Sequence, residues 1–332
     1  MSLTDFLTSL ADSIRQKDGT AEPIPAQDMS QRVLDIPSGG GDIDGLIDKS
    51  ITELRSNAKS VGGYALYQCK SLIRAELPEA TAIGTYAFNQ CTSLASAEFP
   101  LVKTVSDYAF ASCTALVSAK LVSATSLSTS TFFNCTALVE AEFPALKTTP
   151  SNSFGGCASL AVAKFPMVNA IYSGAFASCT SLGTIELPAL NYVDNSAFNG
   201  CTSLSMPEIT VNGTLGGRAF QNCGFKALKL KGKSPVGVSA TAANTQTFAR
   251  NSKMTHIWIS KEHATIHATT DTIQPFYFCP TTLKIYTDAE SALPGWGAYW
   301  NYSGSTLLET NYGVTEEQFS QIVNNDYGEQ IY

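Results

Sequence analysis

The sequence predicts a solenoid, a stack of 22-residue coils sharing one core and one parallel sheet. Three observations predict it. Eight of the nine cysteines, Cys69, Cys91, Cys113, Cys135, Cys157, Cys179, Cys201 and Cys223, stand 22 residues apart without a slip. Three positions before them come Leu66, then Phe88, Phe110, Phe132, Phe154, Phe176, Phe198 and Phe220. Three positions after them come Leu72, Leu94, Leu116, Leu138, Leu160, Leu182 and Leu204. A fixed period of this length marks a repeat architecture, in which one unit buries too little apolar surface alone and each coil is covered by its neighbours.

Residues 87–105 show what one unit does. Phe88, Cys91 and Leu94 are spaced three apart, which suits an inward-facing helical or 3₁₀ turn. Ala97 and Phe99 are two apart, so both point to one face of a short strand. Pro100 closes that strand, as do Pro78, Pro144, Pro166 and Pro188, because proline brings no N–H to a ladder. Val102 and Val105 line the return. The cysteines form an internal file at about the 4.8 Å spacing of paired strands. All point the same way as packed side chains, so a reduced, buried file is expected rather than a disulfide framework.

The run Ala-Phe-x-x-Cys-x-x-Leu, followed by Leu/Phe-Pro and returns such as Ile83-Gly84, resembles the BspA-type leucine-rich repeat family over most of residues 51–286. Leu94-x-x-Ala97-x-Phe99 fits the L-x-x-L-x-L core, and the pattern takes Asn or Cys at one site. The resemblance implies a leucine-rich-repeat solenoid, here of roughly ten coils and about 50 Å. It also implies a surface-exposed binding or adhesion protein rather than an enzyme, and it supplies no fixed binding residues.

In chain order, residues 1–36 are expected to form a small α-helical module. Leu3, Phe6, Leu7, Leu10 and Ile14 make an apolar face at helical spacing that ends at Gly19, and a second short helix is read over 26–35. So large an apolar face on so small a module marks an anchoring interface, to a particle or to sister chains. The segment running Leu10-Ala11-x-x-Ile14-Arg15-x-Lys17-x-Gly19-Thr20 to Asp28-Met29 resembles a module found ahead of fibre regions in phage and prophage structural proteins. Residues 37–45 are a Gly-rich linker, residues 46–287 the solenoid and residues 288–332 a C-terminal cap. A partial coil over 51–61 opens the solenoid. Beyond Cys223 the period lengthens to 28, with Asn251 and Cys279 in the cysteine place. The extra residues, 232–247 and 262–272, are expected to be loops, with strands at Ile257–Ile259 and Leu283–Tyr286. Thr315-x-x-Gln318 is a capping box opening a helix with Phe319, Ile322 and Val323.

Candidate sites are few. Seven positions after successive cysteines stand Glu76, Glu98, Lys120, Glu142, Lys164, Glu186 and Glu208, facing outward. From Glu98 to Glu186 the signs alternate, so adjacent strands set opposite charges side by side. The column reads as a register-setting ion-pair ladder or as a binding face for a polar ligand. The next column, Arg74, Ser96, Ser118, Glu140, Val162, Thr184 and Met206, is also expected outward. Trp296, Tyr299, Trp300 and Tyr302 read as a plug over the last coil or as a glycan-stacking platform.

Other chemistry fails on spacing. Gly232-Lys233-Ser234 lacks the earlier glycine of a phosphate loop, with Ala227 in its place, and Asp42, Asp44 and Glu53 lack the calcium-loop glycine, with Ile47 there. Glu262, His263 and His267 do not form a zinc helix, and His256 is the remaining histidine. No cofactor and no metal are expected. Charged residues are 15% of the chain with a net charge of −7 and no basic stripe, so nucleic acid is not an expected partner. No apolar run has the length of about 18 residues that would insert in a membrane. Residues 1–6 have neither the basic nor the apolar region of a secretory signal, so synthesis in the cytoplasm is expected. The chain is thus read as a non-enzymatic virion component, a fibre, decoration or receptor-binding protein meeting a host surface glycan or protein. It would be anchored by residues 1–36 to other virion proteins or as a homo-oligomer. The alternative reading is a bacterial cell-surface adhesin.

Overall fold

The computed structural model describes residues 49–188, 190–232, 246–262, 274–293 and 299–328. The helical module of 1–36, with Leu3, Phe6, Leu7, Leu10 and Ile14, and the 37–45 linker lie outside the described residues. So do most of the two loop insertions, His263, His267 and Trp296.

Each coil has three sides. The front side is a three-residue strand: Glu53–Arg55, Arg74–Glu76, Ser96–Glu98, Ser118–Lys120, Glu140–Glu142 and Val162–Lys164. These pair in parallel, with Leu54, Ala75 and Ala97 in one register and Ala119, Ala141 and Ala163 in another. The alanines face the core because a strand alternates its faces, and a small side chain leaves room for the phenylalanine file behind. The back side is a two-residue strand whose second residue is buried: Val61, Ile83, Val105, Leu127, Thr149, Ile171, Val193 and Leu215.

The third side departs from the expected helical or 3₁₀ turn. Bonds of the i to i−3 kind are present, as from Cys91 N to Phe88 O and from Leu94 N to Cys91 O. Two residues per coil, however, hold left-handed backbone, Tyr86 at φ 57° and Gln90 at φ 60° in the Cys91 coil. That breaks any helical run and turns alternate amides toward the next coil. Phe88 N donates to Ala109 O at 2.7 Å and Gln90 N to Ala111 O at 2.8 Å. The turns therefore pair between coils as strands do. The phenylalanine rings stack behind them, Phe88 on Phe110 at 5.0 Å and Phe110 on Phe132 at 5.2 Å, nearly parallel.

All nine cysteines are buried and none is in a disulfide. Each thiol from Cys91 to Cys223 donates to the carbonyl three positions before the previous cysteine: Cys91 Sγ to Leu66 O at 3.0 Å, Cys113 to Phe88 O at 3.1 Å, Cys135 to Phe110 O at 3.1 Å. Where Asn251 replaces cysteine, its Nδ2 donates to Phe220 O at 3.0 Å, and its Oδ1 accepts from Cys223 N at 2.6 Å. The site thus needs a short side chain with a hydrogen-bond donor, which explains the Cys/Asn alternation in chemical terms.

Among the described residues the sheets are interrupted at three places. The front sheet opens between Ser96–Glu98 and Ser118–Lys120, and again before Glu208–Thr210. The second opening follows from a slip in the Cys201 coil. Its inward residues are Met206, Ile209 and Val211, so the strand runs two residues late and Pro207 takes the place of the inward alanine. Met206, expected outward, is buried for this reason, and Glu186 keeps only a bridge to Lys164. The back sheet is interrupted between Ser126–Leu127 and Thr148–Thr149. There Pro150 stands where Gly84, Ser106 and Tyr172 each donate an amide to the preceding coil. The hydroxyl of Thr149, beside it, is buried with no partner.

After Asp288 the chain adds one more parallel front strand, Glu309–Asn311, and the helix Glu316–Tyr327. The capping box is formed, Thr315 Oγ1 accepting from Gln318 N and Gln318 Oε1 from Thr315 N. Phe319 and Val323 pack on Ala227, Trp258 and Tyr286, making a second small core on the outward face of the front sheet.

Candidate functional site

The outward charges pair both straight across, as Lys164 with its register partner Glu142, and diagonally to Glu140, which the column did not include. Lys120 Nζ reaches Glu140 at 2.9 Å rather than Glu142, and Lys164 reaches the same Glu140 at 3.3 Å and Glu142 at 3.9 Å. Hydrogen bonds from Lys120 and Lys164 hold the Glu140 carboxyl below its usual range, and Glu140 in turn raises the Lys120 ammonium. On the other side of the first opening Glu98 pairs with Arg74 at 3.2 Å, and Arg74 also pairs with Glu76. Glu98 and Lys120 therefore face away from each other into two separate ionic groups. A lysine reaches diagonally because its stem is long; the opened sheet removes Glu98 as a direct partner of Lys120, while Glu142 remains in register beside it.

Between the two groups lies a cleft of about 470 Å³, lined by residues 95–100 with Ser118, Lys120 and Val122. Strands Ser96–Glu98 and Ser118–Lys120 each pair on one side only. Val117 N still donates to Ala95 O at 3.4 Å across the gap, but past that bond the facing edges form no ladder, which favours an added hydrogen-bonding chain or ligand.

The aromatic cluster is split by burial. Trp300 is 4% exposed and belongs to the main core, and Tyr299 packs half-buried against that core. Tyr302 meets Tyr299 edge-on at 5.3 Å. The Trp300 ring thus lies in the core and presents no open face, while Trp296 lies outside the described residues.

Two constellations were missed from the sequence. The first joins the helix to the sheet. Lys229 and Lys231 reach Glu316 at 3.3 and 3.2 Å, and His256 Nε2 meets Asp326 Oδ2 at 3.0 Å. Burial opposes the Glu316 charge, but hydrogen bonds from Lys231 and Lys229 outweigh it and hold the carboxyl low. Burial lowers the His256 imidazole, against the pull of Asp326. His256 Nδ1 also contacts Thr255 Oγ1 at 2.9 Å, giving the order Asp–His–Thr of a hydrolase. Here the threonine hydroxyl is closed by that of Tyr327 and the imidazole lies under the helix, so a substrate carbonyl has no approach. The constellation latches the helix.

The second is a tyrosine file. Tyr64, Tyr86 and Tyr108 recur at 22 residues, so the same periodicity that showed the cysteines could have shown them. Their rings stack at 4.9 Å and 4.9 Å on the outside of the turns. All three sit in left-handed backbone, which costs a side-chain-bearing residue about 1–2 kcal/mol each. The same position in the following coils is Ser130, Asn152, Gly174, Ser196 and Arg218, all left-handed, of which Gly and Asn suit it best.

Among the described residues no three His, Cys, Asp or Glu groups gather to hold a metal, and no helix is long and apolar enough to cross a membrane.

A parallel-sheet solenoid with an outward charged face and an internal Cys/Asn ladder defines the class as a leucine-rich repeat protein. The BspA type leucine rich repeat region matches in six copies over residues 49–139, 103–226 and 169–289. The chain belongs to that BspA-type family. Solved structures similar to it include a Treponema pallidum leucine rich repeat protein, 28% identical, covering 48% of this chain and 79% of its own, with a TM-score of 0.45. A leucine rich cell surface protein of Faecalibacterium prausnitzii is 20% identical, covering 79% and 84%, with a TM-score of 0.45. A leucine-rich repeat protein of Bacteroides ovatus is 15% identical, covering 77% and 73%, with a TM-score of 0.43. No curated protein matches the chain.

Proposed function

We propose that the chain is a non-enzymatic binding protein of a bacterial cell surface. In this reading it meets a macromolecular partner with the outward front face between Glu53 and Lys164. The observation that carries the reading is the opened front sheet: two ionic groups flank a cleft whose walls are unpaired strand edges. Family membership supports the surface location. Residues 1–36, with Leu3, Phe6, Leu7, Leu10 and Ile14, serve as the attachment segment to sister chains or to the structure that displays the solenoid. A virion role rests on those residues alone, and the family match begins only at residue 49. Two measurements test this. Antibody against the solenoid should label intact cells of the producing bacterium; labelling of purified phage particles in place of cells would move the protein to the virion. Exchanging the charges, Glu98→Lys with Lys120→Glu, should abolish capture of the surface partner while leaving the thermal midpoint in place, and capture that persists would remove the front face from the function.

A further inference from the structure

We propose a second binding site, a carbohydrate-binding corner formed by Tyr64 and Tyr67 at the first end of the tyrosine file. It rests on the binding-protein reading and adds a ligand class and a place distinct from the front face. In a stack, inner rings cover each other. Tyr86 lies between Tyr64 and Tyr108, nearly parallel to both, while Tyr64 is 55% exposed. Tyr67 stands against Tyr64 at 5.7 Å and 73°, making a wall to that floor. The floor is rigid because two further rings back it and because its backbone is held by the bond from Tyr64 N to Thr85 O at 2.9 Å.

Polar groups stand where a sugar hydroxyl needs them. Gln68 Nε2 lies 3.3 Å from the Tyr67 hydroxyl and 3.1 Å from Gln90 Oε1, forming an amide row beside the rings. Lys49 Nζ sits 6.0 Å from the Tyr67 ring centre. A flat aromatic face with donors at its rim suits the C–H face and hydroxyl edge of a pyranose. The same lysine disfavours the other ligand of aromatic corners, a quaternary ammonium, since one cation already occupies the Tyr67 face. A protein partner would need about 800 Å² on each side, far more than two tyrosines offer. The following coils hold the same left-handed backbone and show that serine fits the Tyr64 position.

The test uses the full chain and immobilised gluco-, galacto- and N-acetylglucosamine oligosaccharides, with tetramethylammonium as competitor. Binding of at least one saccharide is expected. Tyr64→Ser, which installs the residue of later coils and so keeps the fold, should weaken it about ten-fold or more. Tyr64→Phe should retain it, and Tyr108→Ser, whose ring faces lie farther down the stack, should leave it unchanged. The Glu98/Lys120 charge exchange should also leave it unchanged, so loss of the front-face partner and loss of the sugar are read separately. The proposal is overturned by no saccharide binding, by binding that survives Tyr64→Ser, by equal losses in Tyr64→Ser and Tyr108→Ser, or by displacement with tetramethylammonium.

Discussion

Replacing Asn251 by alanine should destabilise the C-terminal coils far more than replacing it by cysteine. Asn251 is fully buried. Its amide group gives 3.0 Å to Phe220 O and 2.7 Å to Phe248 O, and takes 2.6 Å from Cys223 N. Phe248 O keeps a second partner, the Cys279 thiol at 3.1 Å, so alanine leaves two groups stranded, Phe220 O and Cys223 N. A buried group without a partner costs about 1–3 kcal/mol, so the pair costs about 2–6 kcal/mol. Cysteine restores the donor to Phe220 O, as its counterparts do in the earlier coils, and should cost about 1 kcal/mol through the amide it cannot replace. The assay is urea unfolding followed by tryptophan emission, because Trp258 lies in the strand after Asn251 and the other two tryptophans, Trp296 and Trp300, also stand in the C-terminal third. An alanine variant with an unchanged midpoint, or a cysteine variant as weak as alanine, would refute the idea that this column exists to donate a hydrogen bond.

Four further outcomes follow from the same structure. Burial raises every thiol in the file from Cys91 to Cys223, Cys91 and Cys201 to about 12, and does the same to Cys279, so alkylation at pH 8 should label none of these in the native state. In denaturant without reductant it should label all nine cysteines, and mass spectrometry counts them. Because the folded His256 imidazole binds its proton less readily than the unfolded one, the seat of the helix should be most stable above about pH 6.5 and weaken as pH falls below it; Asp326, Lys284, Glu309, Tyr286 and Tyr327 all face that ring, and His256→Gln should flatten the pH dependence of the Trp258 transition. Thr149→Val should raise the thermal midpoint, since it removes a buried hydroxyl without a partner at a position where the other coils carry Val, Ile or Leu, a gain of about 1 kcal/mol. Pro150→Ala should create an amide protected from hydrogen exchange, by restoring the missing donor to the back sheet; rapid exchange there would mean that proline is not what interrupts it.

Most of the fold was legible because periodicity reports burial directly. The phenylalanine, cysteine and leucine columns occupy the same three inward positions in the coils of Cys91 to Cys201, and Asn251 could be placed by register through a change of period. What spacing could not report is the backbone state that spacing is compatible with. Phe88, Cys91 and Leu94 fit a helical turn, but Tyr86 and Gln90 in left-handed backbone convert it into turns paired between coils. The charge column was legible only in part: Lys164 meets Glu142 as the register sets it, but spacing did not report that the sheet opens between Glu98 and Lys120 or that Glu140 draws both lysines diagonally. The Cys201 coil keeps its cysteine in register while its strand slips by two, a change hidden because the return is shorter by the same amount. The helix was read from its capping box, but its seat was not, since Trp258 and Tyr286 became a platform only through contact with Phe319.

The three interruptions of the sheets fall at different coils on different sides, at 98/118 and 186/208 in front and 127/148 behind. Bricklayers stagger joints for the same reason that matters here: a crack that starts at one seam runs into unbroken material on the next side. At each front seam the turns remain paired, and a thiol still spans the coils, Cys113 to Phe88 O at the first and Cys201 to Phe176 O at the second. Under a pull along the axis, the front seams can gape while the other two sides keep the coils in line. The chain can therefore yield locally and close again without losing its register.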